Sequence, residues 1–143
     1  MEQQTIDLLK VCNSGSKMAT NSIEQTLKFV KEEGLVSLLE KHNKEHIAIG
    51  EECQKLLEKM GAKEEDPSLM AKSMSFFTTA VKLRMDHEAS EVAKLMMDGC
   101  NMGIQSIAKA ANQYKDASKE SLDLAKRLLA CEEEFMKELK YYL

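Results

Sequence analysis

A single proline, Pro67, interrupts 143 residues, and only six glycines accompany it. Proline removes a backbone donor and clashes with the preceding turn, and glycine weakens helix interiors, so a chain poor in both can hold long unbroken helices. Leu, Ala, Met, Glu and Lys abound, and β-branched residues form no alternating runs. The chain reads as all-α. With 43% hydrophobic and 31% charged residues it is too apolar for a disordered chain, and its length suits one domain over 1–143.

The few breakers mark the joints. Gly34 in KEEGLVS follows a helical stretch and fits a left-handed C-terminal cap. Gly61 ends the next stretch in the same way, and GAKEEDPS supplies a loop in which Asp66 or Ser68 can cap the next helix. YKDASKES gives a polar joint near 116–118. Neither Gly nor Pro stands near Asp86, yet a break is expected there. Asp86 can cap a new helix, and one helix from 68 to 115 would run to roughly 70 Å. The predicted helices are 3–33, 35–60, 68–85, 86–115 and 119–142.

The chain also repeats weakly. Placing VCNSGSKMATNSIEQTLK (11–28) over LMMDGCNMGIQSIAKAAN (95–112) sets Gly15 on Gly99, Ser22 on Ser106 and Ile23 on Ile107. The same offset sets Lys31 on Lys115 and Leu38 on Leu122. Each half is then a helical hairpin, 3–60 and 86–142, with the 68–85 helix crossing between them. Neither hairpin can bury its apolar stripe alone, so the two must pack face to face, which is a ferritin-like four-helix arrangement. Asn13–Gly15 and Asp98–Gly99, at matching places in the two hairpins, and the acidic Gly61–Pro67 loop resemble an uncharacterised bacterial ferritin-like family, a domain of unknown function. The resemblance covers nearly the whole chain and implies the bundle without an established reaction.

Ferritin-like enzymes hold two metals with single Glu residues on two helices and Glu-x-x-His on the other two. No such motif stands in this chain: the residues three before His42, His46 and His87 are Leu39, Asn43 and Arg84. At about 100° per residue, His42 and His46 lie in the middle of the apolar stripe Leu35, Leu38, Leu39, Ile49, Cys53, Leu56, Leu57 and Met60. Glu40, Glu45, Glu51 and Glu52 point away from it. The last helix presents Ala125, Leu128, Leu129, Met136, Leu139 and Leu143, with Glu132 on the same face. Level with the histidines the other helices offer Ile23, Leu27, Ile107 and Ala111, so the single carboxylates of a di-iron centre are missing. Two uses remain for His42, His46 and Glu132. They can hold one Zn²⁺ or Fe²⁺. The favoured alternative is cofactor-free: core histidines hydrogen-bonded to Glu132, Ser16, Thr20 or water.

Other features take structural readings. Cys12, Cys53, Cys100 and Cys131 stand far apart, as buried small hydrophobes in a reducing compartment. In RMDHEASE, Arg84, His87, Glu88 and Glu91 surround a helix start capped by Asp86. The methionines, among them Met70, Met74, Met85, Met96, Met97 and Met102, fill the core. Gly99 and Gly103 let another helix approach, and the apolar end of EEEFMKELKYYL covers the bundle or a second subunit.

A net charge of −4, with both signs mixed along the chain, offers no basic face to nucleic acid. No apolar run nears the roughly 20 residues that span a bilayer, and MEQQTIDLLK lacks the pattern of a signal peptide. A cytoplasmic protein without membrane or nucleic-acid partners is expected. No nucleophile triad, phosphate loop or dinucleotide fingerprint is present. The reading is therefore a non-enzymatic ferritin-like bundle acting through an interaction surface, as a homo-oligomer and most simply a dimer. The alternative is a metal-binding or redox protein built on the reduced His/Glu site.

Overall fold

The computed structural model describes residues 2–62 and 88–143. The predicted crossing helix 68–85 lies outside them, as do Arg84, Asp86, His87, Met70, Met74 and Met85. The described residues form four helices: α1 (Glu2–Leu27), α2 (Glu33–Lys59), α3 (Ala89–Gln113) and α4 (Lys119–Leu139), the last followed by a 3₁₀ turn at Lys140–Tyr142. No strand occurs among them, so the all-α expectation stands. No helix among the described residues is long and apolar enough to cross a membrane.

Helix directions follow from cross-links. The Asp116 N–H donates to Gln4 Oε1 at 2.9 Å and the Ser118 N–H to Thr5 Oγ1 at 2.8 Å, so α1 and α4 start level and run parallel. Arg127 pairs with Glu52 at 2.6 Å and Lys41 with Glu138 at 2.9 Å, so α2 runs against α4. α1 packs on α2 and α3 on α4 as two hairpins, with α1 also against α3 and α2 against α4. The order is up, down, down, up. The chain leaves α2 at the end where α1 and α4 begin, and re-enters as α3 at the opposite end.

The core divides into two apolar clusters. One gathers Leu8, Leu9, Cys12, Ile49, Cys53, Leu57, Ile107, Leu124 and Leu128. The other gathers Ile23, Leu35, Leu38, Leu39, Met96, Cys100, Phe135 and Leu139. On α2 the stretch between the clusters carries His42 and His46, on α4 Glu132, on α3 Gly103 and on α1 Ser16, whose hydroxyl donates to the Cys12 carbonyl at 2.8 Å. Four of these residues are buried polar side chains, so a polar layer crosses the middle of the bundle.

Two joints differ from the sequence reading and one agrees with it. α1 ends at Leu27, and Gly34 is no left-handed cap: it lies in the first turn of α2, where the Glu32 carboxylate accepts from the N–H groups of Gly34 and Leu35 at 2.9 Å each. Because α1 ends at Leu27, Gly34 has no helix end to close, and Glu32, in extended backbone, is instead the N-cap of α2. Gly61 does cap α2, with φ +68° and with the Gly61 and Ala62 N–H groups bonded to the Glu58 and Leu57 carbonyls. At α3 the N-cap is Glu88. Only one of the Gly99–Gly103 pair meets a neighbour. A Cβ on Gly103 would stand 3.0 Å from the Glu132 carboxylate, whereas a Cβ on the exposed Gly99 would meet none of the described residues. Gly99→Ala should therefore stabilise the protein by about 0.5–1 kcal/mol in urea unfolding, by restricting the unfolded chain and raising helix propensity. Gly61→Ala should cost about 1–2 kcal/mol, because the left-handed conformation strains an L side chain.

Candidate functional site in the bundle centre

His42 and His46 sit one turn apart on α2, and both side chains are fully enclosed. The helical stripe places them inward because i and i+4 share a face. His46 Nδ1 lies 2.7 Å from the His42 backbone carbonyl. A carbonyl only accepts, so Nδ1 carries a proton and donates it. His46 Nε2 makes a short contact with Glu132 Oε1 from α4. With Nδ1 already protonated, the pair holds one proton between Nε2 and the carboxylate. Burial pushes the His46 imidazole down, but the Glu132 hydrogen bond and charge, the His42 carbonyl and Glu45 together outweigh it and raise its pKa above the ordinary histidine value. The second Glu132 oxygen reaches toward α3 over Gly103. Burial, followed by the charge of Glu132, pushes the neighbouring Cys100 thiol up.

His42 turns elsewhere. Its Nε2 lies 3.1 Å from Glu138 Oε1, and Lys41 holds that carboxylate at 2.9 and 3.2 Å. Lys41 and then His42 hold the Glu138 carboxyl below its usual range against the opposing effect of desolvation. Phe135 stacks on the His42 ring at 4.4 Å and 17° between planes. The other nitrogen, Nδ1, faces Cys131 Sγ at 3.8 Å and Glu45 Oε2 at 3.9 Å, and the Cys131 thiol donates to Glu45 Oε2 at 3.2 Å. Burial pushes the Cys131 thiol up, reinforced by Glu45, so it is not an activated nucleophile.

The residues expected from the sequence thus fall into two groups. His46 and Glu132 meet directly. His42 stands beside them but directs its nitrogens to Glu138 and to Cys131 with Glu45. Among the described residues, the set of three side chains whose ligand atoms all lie within 4.8 Å of one another is His42, Glu45 and Cys131. Sequence reasoning does not single out Glu45, Cys131, Glu138 or Phe135 as parts of a site. A signal for Glu45 is present all the same: His42-x-x-Glu45 is an i, i+3 pair sharing a face.

Glu132→Gln should lower the unfolding free energy by about 3–5 kcal/mol, the usual cost of removing one member of a buried pair. The raised His46 pKa means that its stabilisation is fully present below the unfolded histidine value of about 6.5 and is lost as pH rises through the folded value. The gap between wild type and Glu132→Gln should therefore be widest in mildly acidic buffer and narrow as pH rises, measured by urea unfolding at a series of pH values.

Compared with protein-family models, with curated proteins and with solved structures, the chain matches none.

Proposed function

We propose that this chain is a ferritin-like bundle with a non-catalytic role, acting through its surface as a homodimer. The observation that carries the reading is His46, whose two ring nitrogens are both engaged by protein groups, the His42 carbonyl and Glu132. An imidazole so placed has no free lone pair for a metal. In the stretch between the two clusters α1 contributes Ser16 and α3 contributes Gly103, with Ile23 and Ile107 in the clusters on either side, so neither helix brings the carboxylate that a di-iron site would need there. The up-down-down-up order of the two hairpins supports the ferritin-like assignment.

A surface role agrees with the apolar side chains left in solvent. Tyr141 is 88% and Leu143 61% exposed, although Phe135 and Leu139 just before them are buried. Tyr141 lines a surface groove of about 300 Å³ with Leu38, Lys41 and Glu138. A second copy of the chain is the partner that would cover this end.

Sedimentation velocity should show a concentration-dependent dimer, and Tyr141→Ser with Leu143→Ser should shift it to monomer while leaving helix content unchanged. A monomer at every concentration up to the solubility limit would overturn the dimer. Fe²⁺ added aerobically should be oxidised no faster with the protein than in buffer alone. Faster oxidation that Glu132→Gln abolishes would overturn the non-catalytic reading.

A further inference from the structure

We propose that the α2–α4 face carries a site for one divalent cation of the Zn²⁺ class, with His42 Nδ1, Cys131 Sγ and Glu45 Oε2 as ligands. The three atoms form a triangle with edges of 3.8, 3.9 and 3.2 Å. A tetrahedral zinc ion with one sulfur, one nitrogen and one oxygen ligand needs edges of about 3.3–3.6 Å, from its ordinary bond lengths. The two sulfur edges are within about 0.3 Å of that and the nitrogen–oxygen edge is about 0.6 Å long, a change that side-chain torsions of the exposed Glu45 can supply.

The histidine is prepared for this role. Glu138 accepts from His42 Nε2–H, which leaves the lone pair on Nδ1, the nitrogen that faces Cys131 and Glu45. Lys41 fixes Glu138 in turn, and the stacked Phe135 ring holds the plane of the imidazole. A carboxylate behind a ligating histidine is the usual way that ring orientation and basicity are set at zinc sites. The adjacent His46 has no equivalent lone pair to offer, so the cation belongs on the Cys131 side of α2.

Charge and donor type choose the ion. One thiolate and one carboxylate neutralise a divalent cation, so no net charge is left beside the apolar core. Sulfur and nitrogen donors disfavour Mg²⁺ and Ca²⁺ and suit a borderline ion. Binding displaces the thiol proton that Cys131 now donates to Glu45: the S–H bond breaks, the sulfur–metal bond forms and the proton leaves to solvent. Access exists. Glu45 and Cys131 both line a groove of about 380 Å³ on the α2–α4 face, which leaves the fourth coordination position to water. The site does not depend on the dimer or on the chemistry of the His46–Glu132 pair.

Co²⁺ titration of protein purified without a histidine tag tests this, followed by displacement with Zn²⁺. The expected result is one ion per chain and a thiolate-to-cobalt charge-transfer band that Zn²⁺ removes. Cys131→Ser should abolish the band, and Glu45→Gln, an exposed substitution that should leave the fold intact, should weaken Co²⁺ binding. Glu138→Gln should weaken binding by about 10- to 100-fold, as loss of a partner behind a ligand does. Cys100→Ser should keep the band. Absence of the band in wild type, its survival in Cys131→Ser, or unchanged affinity in Glu45→Gln would each overturn the site.

Discussion

The proton held between His46 and Glu132 is the constraint around which the bundle is arranged. Both groups are buried, and each would be costly to leave alone in an apolar interior. They come from different hairpins, α2 and α4, so the pair can form only when the two hairpins meet in one register. Sliding α2 along α4 by one turn, about 5.4 Å, would separate them and strand both. The apolar clusters on either side are permissive by comparison, since Leu, Ile and Met repack at modest cost. Hydrophobic burial supplies most of the driving force, and the polar layer selects which of several similar packings is the native one.

The layer also explains where small residues stand. α2 and α4 contribute the long polar side chains, while α3 contributes Gly103 and α1 contributes Ser16 at the corresponding level. The Glu132 carboxylate fits because Gly103 leaves the room that a Cβ would take. Gly99 has no such neighbour, so the internal repeat that aligns Gly15 with Gly99 marks a shared pattern more than a shared packing.

Much of this is legible in the sequence, for physical reasons that can be named. Helical periodicity puts His42, His46 and Glu132 on inward faces, and all three are buried. The same periodicity is blind to which ring nitrogen points where. A histidine on an apolar stripe can address its own helix, as His46 does through the His42 carbonyl, or two flanking helix edges, as His42 does. The stripe turns Glu45 toward water, and it is exposed, yet its carboxylate bends back 3.2 Å from Cys131. A long flexible side chain at the edge of a stripe belongs to both sides. Gly34 misleads because a glycine can also stand in the first turn of a helix: α1 ends at Leu27, and the Gly34 N–H is already bonded to the Glu32 cap of α2.

Two histidines one turn apart thus have opposite chemical character. His46 gives up its coordinating capacity to hold the hairpins together, with one nitrogen tied to the backbone and the other to Glu132. His42 keeps one lone pair on Nδ1 because Glu138, at the helix edge and paired to Lys41, accepts the hydrogen bond from the far nitrogen, Nε2–H. That division follows from depth. Glu132 sits where its carboxylate is nearly removed from solvent, so its hydrogen bond with His46 is costly to break. Glu138 and Glu45 are partly solvated, so their hydrogen bonds are cheaper to rearrange. An ion approaching from the α2–α4 groove meets the adaptable half of the layer first, and the half that sets the register remains undisturbed.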